Sequence, residues 1–215
     1  MADLTEPETI AAGERKPRSF LRELPAMLVI ALVLALLIKS FLAQAFFIPS
    51  ESMQPTLNPG DRVLVNRVVY RLHPPRRQEV IVFADPRARP PGGLSGVWRW
   101  LTQGLGAATS PDKDFIKRVI GLPGETVEIH GGVVSVDGKA LSEPYLLAPD
   151  AREIPDFGPI EIPAGELFVL GDNRAHSGDS RFAPPSGFGL VPEGKVIGRA
   201  FVIVWPPSEW DGVSR

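Results

Sequence analysis

No cysteine occurs in the 215-residue chain. Disulfides, thiolate metal ligands and a cysteine nucleophile are therefore excluded. Histidine is scarce: the three residues His73, His130 and His176 stand far apart, and none has a second histidine at metal-ligand spacing. A surplus of one charge is also missing. The formal net charge is -2, which does not suggest a chain that binds nucleic acid along its length. Lysine is sparse too. Of 23 basic residues only Lys16, Lys39, Lys113, Lys117, Lys139 and Lys195 are lysine. Any buried member of that set is a candidate for chemistry, because lysine can give up its proton in a protein and arginine cannot.

One long apolar run is present. Leu24 to Ile38 is unbroken, and after Lys39 the run resumes as SFLAQAFFI to Ile48. About 20 apolar residues span a bilayer, so residues 24–48 are expected to form a single membrane anchor, with Lys39 snorkelling to the interface. Arg15, Lys16, Arg18 and Arg22 precede the run. The positive-inside rule then assigns residues 1–23 to a cytoplasmic tail and residues 49–215 to the extracytoplasmic side. A cleaved secretory signal is the alternative, since Ala43-Gln44-Ala45 has the small-x-small form of a cleavage site. The length of the run and the lack of a helix breaker before Ala43 favour the anchor.

After Gly60 the pattern changes. Proline (23 residues) and glycine (21) are plentiful, and both favour turns and short strands. RVLVNRVV, EVIVF, DFIKRVIG, ETVEIHGGVVSVDGK, GELFVLGD and GKVIGRAFVIVW are short, β-branched segments. Gly131-Gly132 and Asp137-Gly138 are hairpin turn signals. Helical periodicity is missing, so the fold class is mainly β: one N-terminal helix followed by an all-β domain. Residues 85–114 interrupt the strands as an excursion with Leu94, Trp98, Trp100 and Leu101 at its centre. It reads as a surface loop with a packing knob, or as an apolar tip resting on a membrane.

The chemistry-bearing residues begin where the apolar run ends, in FFIPSESMQPTLNPGD. Ser50 and Ser52 lie between prolines that fix the chain direction. A serine needs a base to become a nucleophile. His176, in GDNRAHSGDSR beside Asp172 and Asp179, permits a Ser-His-Asp reading. A metal cluster of Asp172, His176 and Asp179 is a weaker alternative. Lys117, in the strand-like DFIKRVI, is the other base. Phe115, Lys117 and Val119 share one strand face, and Ile116, Arg118 and Ile120 share the other. Burial would lower the lysine pKa by favouring the neutral amine. A lysine on a solvated strand face remains the plain alternative.

IPSESMQPTLNPGD, DFIKRVIGLPGE and GDNRAHSGDSR, in that order after a hydrophobic span, resemble the bacterial type I signal peptidase family. The resemblance implies a membrane-anchored serine endopeptidase with a signal-peptidase-like β domain. Such an enzyme removes signal peptides from exported preproteins, cutting after small-x-small motifs. It implies Ser52 as nucleophile and Lys117 as general base. Ser50 then supports the oxyanion, Ser177 orients the lysine, and Asp179 with Arg181 forms a supporting ion pair. Asp172, Asn173 and Arg174 take structural roles. Neither cofactor nor metal is implied; preproteins and the lipid bilayer are the partners. Residues 46 to 48 are expected to dip into the membrane interface. Ala43 to Ala45 are expected to continue the membrane helix and so to survive; a cut in the same molecule is harder still, because only seven residues link Ala45 to Ser52, while cutting between molecules stays open. A Ser-Lys peptidase with one narrow client and a tethered β domain without catalysis are the competing readings.

Overall fold

A computed structural model describes residues 20–37, 43–87, 114–146, 154–209 and 212–213. The chain divides into two compact units, residues 1–36 and 37–215. The tail before residue 20, Lys39, and the excursion residues 88–113 with Leu94, Trp98, Trp100 and Leu101 lie outside the described residues.

Helix α1 spans Phe20–Leu37. Its Met27, Leu28, Val29, Ile30, Leu32, Val33 and Leu34 are all exposed. Among the described residues no helix is long and apolar enough to cross a membrane. The expectation of one helix to Ile48 is corrected at its far end. Ala43–Phe47 forms strand β1 and pairs antiparallel with β2, Arg62–Asn66, from Ala43↔Asn66 to Phe47↔Arg62. The reason is tertiary. Phe46 packs against a core cluster, and Ile48 is 2% exposed within it. Ile48 therefore cannot dip into a lipid interface, whereas Phe47 is 62% exposed.

The remaining strands are β3 Val80–Ala84, β4 Asp114–Gly121, β5 Thr126–His130, β6 Val133–Val136, β7 Lys139–Ala140, β8 Phe157–Glu161, β9 Glu166–Leu170, β10 Val191–Pro192 and β11 Val196–Trp205. They form a seven-stranded sheet, β1-β2-β11-β3-β4-β9-β10, and a four-stranded sheet, β7-β6-β5-β8. The mainly β expectation holds. The hairpin turns lie where the glycines place them: Gly131 and Gly132 join β5 to β6, and Asp137 and Gly138 join β6 to β7, all four with positive φ. That conformation closes two-residue hairpins with the right twist.

The central strands β3, β4 and β9 of the large sheet are buried on both faces, which explains the continuous apolar run VIVFA in β3. Val80 and Val82 join Val63, Val65 and Ile116 on one side, while Ile81 and Phe83 join Val119, Leu167 and Val169 on the other. The small sheet closes over a third cluster built from Val127, Ile129, Val134, Phe168 and Leu170. RVLVNRVV is not strand throughout. Asn66 Oδ1 accepts from the backbone N–H of Val68 at 2.9 Å and of Val69 at 3.1 Å. This side-chain turn ends β2 and starts the single-turn helix α2, Val69–Leu72.

Candidate active site

Strand β4 pairs with β3 from Asp114 to Arg118, but with β9 only from Arg118 onwards. The sheet therefore opens on one side of Lys117. Into this opening comes the loop that joins β1 to β2. Two bonds close the loop at its base: Ile48 N–H to Asp61 O and Gly60 N–H to Ile48 O, each 2.9 Å. Met53 and Leu57 are fully buried and plug it into the core. Its outer part docks on the segment after β9. Asn173 N–H donates to Ser52 O at 3.1 Å, and Asn173 Nδ2 donates to Glu51 O at 3.2 Å.

The result is a buried serine beside a buried lysine. Ser52 is 7% exposed and Lys117 is 4% exposed. Lys117 Nζ donates to Ser52 Oγ at 2.6 Å. Ser50, which is exposed, places its Oγ 3.3 Å from Ser52 Oγ. Burial pushes the Lys117 pKa down to about 8, while Asp179 and then Asp172 pull it the other way. Both carboxylates are already matched by guanidinium groups. Arg118 holds Asp172 through Nε–Oδ1 at 2.8 Å and Nη2–Oδ2 at 2.6 Å. Arg181 holds Asp179 through Nε–Oδ1 at 2.8 Å and Nη2–Oδ2 at 2.9 Å. Loss of hydration therefore dominates at the amine.

Lys117 and Arg118 point to opposite sides of β4, yet both are buried. The arginine is the more enclosed, 1% exposed, with its guanidinium 3.8 Å from the Tyr145 ring centre. Thr56 Oγ1 donates to Asp172 Oδ2 at 2.5 Å, which ties the serine loop to the same ion pair. A second network joins Arg174 to Glu143 and Tyr145 to Glu143. Sequence reading did not find these networks. No local spacing signals them, because Arg118 and Asp172 are 54 residues apart.

The other expected partners are placed as follows. Asp179 also accepts from Gly171 N–H at 3.1 Å, and Arg181 Nη2 donates to Arg174 O at 2.7 Å. The pair thus braces the GDNRAHSGDSR segment. Ser177 is buried, but its Oγ makes no hydrogen bond to Lys117 or to any other described group. It packs against Gly171. A Cβ at Gly171 would lie 2.2 Å from Ser177 Oγ and 2.4 Å from Ser52 O, so only glycine lets the serine loop approach. His176 is exposed, with Nδ1 3.3 Å from Asn173 Oδ1, and it is not bonded to Ser52. Asp172 and Asp179 face arginines, which removes the donor set of the metal alternative.

A buried serine hydroxyl beside a buried lysine amine, at the open side of an antiparallel sheet, is the pairing that serine-nucleophile chemistry requires. Comparison with known proteins narrows this. The family model "Signal peptidase, peptidase S26" matches residues 21–205. A probable signal peptidase I-1 of Synechocystis is 41% identical over 194 residues, covering 90% of this chain and 87% of that protein. A signal peptidase I of Leptolyngbya laminosa is 43% identical over 204 residues, covering 94% and 88%. A signal peptidase I of Mycobacterium tuberculosis is 38% identical over 243 residues, covering 98% and 82%. The chain belongs to the signal peptidase family, peptidase S26, as a type I signal peptidase: a hydrolase that removes signal peptides from preproteins.

Proposed function

We propose that the chain cleaves preproteins by a Ser-Lys dyad, with Ser52 as nucleophile and Lys117 as general base. The observation that carries this reading is the 2.6 Å contact between Lys117 Nζ and Ser52 Oγ inside a buried notch. With a pKa near 8, about a tenth of the lysine is neutral at pH 7. The neutral amine takes the Ser52 proton as Oγ attacks the scissile carbonyl. The backbone N–H of Ser52 and the Ser50 hydroxyl receive the oxyanion. Lys117 then protonates the leaving amine, and water, activated by the same amine, hydrolyses the acyl-enzyme. Asp179 and Arg181 hold the frame on which Ser52 rests. Ser177 supplies a buried hydroxyl next to Gly171 that is free to turn to the amine once Ser52 is acylated.

The substrate is an extended segment that adds to the open edge of β4 beside Lys117. Shallow apolar pockets select small residues at the first and third positions before the cut. The catalytic unit works at a membrane surface, outside the cytoplasm. Three observations support that placement. The helix α1 exposes apolar side chains on all sides, as a helix in contact with lipid does. Removing β1 from the apolar run leaves residues 24–42, close to the roughly 20 a bilayer needs. Phe47 and Trp205 are both exposed and both register with Arg62, forming an aromatic-cation-aromatic row at the sheet end nearest the serine loop.

The test uses the detergent-solubilised chain and a preprotein whose cut is mapped by mass. Ser52→Ala and Lys117→Arg should each remove processing with the fold kept, while His176→Ala keeps most of it. Normal processing by Ser52→Ala ends this reading.

A further inference from the structure

We propose that Tyr145, on the loop that leaves the end strand of the small sheet, is a positioning residue for the peptidase reaction: its ring holds the Arg118–Asp172 pair in the arrangement that seats Ser52 against Lys117. The inference rests on the reading of Ser52 and Lys117 given above. Residues 141–146 follow β7, and three contacts dock them on the part of the fold that carries the site. Gln78 Nε2 donates to Ser142 O at 2.6 Å. Glu143 pairs with the buried Arg174. The Tyr145 ring lies over the Arg118 guanidinium, 3.8 Å from ring centre to carbon. Tyr145 is 5% exposed and is itself held by Glu143, whose Oε1 accepts from its hydroxyl at 2.6 Å. Burial, and then Glu143, push the Tyr145 pKa up, so the hydroxyl keeps its proton and stays a donor.

The edges of the Arg118 guanidinium are taken up elsewhere. Nε and Nη2 bond Asp172, Nη2 also reaches Thr56 Oγ1 at 3.2 Å, and Nη1 donates to Gln78 O at 2.9 Å. Hydrogen bonds at the edge fix the place of the group but leave its faces open. Tyr145 closes one face. A ring in that position attracts the cation and keeps water from the ion pair. The pair in turn reaches the serine. Thr56 ties the Asp172 carboxylate to the serine loop. On either side of Asp172 in the chain, Asn173 N–H holds Ser52 O, and Gly171 lies close enough to Ser52 O to exclude a Cβ. Arg174, held by Glu143, donates from Nε to Gly171 O at 3.1 Å.

Loss of the ring has two consequences. Arg118 can tilt, which releases Asp172 and loosens the support of Ser52. The Lys117 amine also changes its surroundings. The carboxylates that act on it are Asp179 and Asp172, matched by Arg181 and Arg118, and Glu143 is matched by Arg174. An Asp172 no longer matched, and water admitted beside it, both favour the charged form of the lysine. Less of the base is then neutral at a given pH. Tyr145 is not bonded to Ser52 or Lys117 and acts through Arg118.

The experiment measures kcat and KM of the full-length chain in detergent on a preprotein, from pH 6.5 to 10.5, with thermal unfolding in the same detergent. Tyr145→Leu should lower kcat at pH 7 by about ten- to a hundredfold with little change in KM. Its rate midpoint should move up by about half a pH unit or more. Tyr145→Phe keeps the ring, and it should restore the parental midpoint and most of kcat. Ile129→Val, in the core of the small sheet, should lower the unfolding temperature and leave both kcat and midpoint alone. Tyr145→Met, which fills more of the ring's volume, takes the place of Tyr145→Leu if that variant does not fold. A folded Tyr145→Leu or Tyr145→Met with a parental midpoint overturns the inference, whatever its unfolding temperature, because the ring then only stabilises the fold. A Tyr145→Phe that behaves like Tyr145→Leu overturns it as well. In both cases the functional reading stands as long as Lys117→Arg is inactive. If Lys117→Arg cleaves the preprotein, the reading falls and the inference falls with it.

Discussion

Replacing Lys117 with methionine should abolish cleavage and yet make the protein more stable near neutral pH. The magnitude follows from the burial of the amine. The folded-state pKa is about 8, against about 10.4 for an unfolded lysine. At about 1.36 kcal/mol per pH unit, holding this ammonium in the notch at pH 7 costs on the order of 3 kcal/mol. Methionine fills a similar volume without a charge. It gives up the hydrogen bond to Ser52, worth about 1 kcal/mol. The net expectation is a gain of roughly 2 kcal/mol at pH 7. The sign changes with pH. Between about 8 and 10.4 the unfolded chain holds a proton that the folded chain has released, so the parent gains stability as pH rises. The methionine variant has no such group. Its advantage should shrink across that window and end as a deficit of about 1 kcal/mol, the lost hydrogen bond. Urea unfolding of both proteins in one detergent, from pH 6.5 to 10.5, gives the difference directly, because other titrating groups cancel. A difference that does not vary with pH would refute the desolvated-amine picture.

Three other outcomes are expected. Ser50→Ala should lower the turnover rate by about a hundredfold, the usual effect of one oxyanion donor, with little change in KM, measured on a signal-peptide substrate. Asp172→Asn should destabilise the fold by about 3 to 5 kcal/mol in denaturant titration, since it leaves the buried Arg118 uncompensated; the pair Arg118→Met with Asp172→Leu should recover much of that loss. Gly171→Ala should cut activity more than stability, because its Cβ displaces Ser52 O and Ser177, and a variant with parental turnover would show that the loop does not need this close approach.

Much of the β domain was legible because its determinants are local. VIVFA and DFIKRVIG are β-branched runs buried on both faces, and the turns after His130 and Val136 carry glycines that supply the positive φ. The three motifs named the loop, the strand and the segment that meet at Ser52. What was not legible depends on contacts distant in sequence. The apolar run to Ile48 has the composition of one helix; only the presence of β2 and the core cluster turns Ala43–Phe47 into a strand. The strand FGPIE, β8, contains a glycine and a proline and gave no strand signal, yet it pairs with β5. The pattern showed that Lys117 and Arg118 face opposite ways, but not that both are buried. That follows from the pairing of Arg118 with Asp172 and from the contact of Lys117 with Ser52.

The pH dependence of single-turnover preprotein cleavage tests the dyad most directly. With Lys117 as base, the rate should rise with pH along a single titration whose midpoint lies near 8. The midpoint should be unchanged in His176→Ala, and activity should vanish in Lys117→Arg at every pH. A midpoint near 6.5 that disappears with His176, or substantial cleavage by Lys117→Arg, would contradict it.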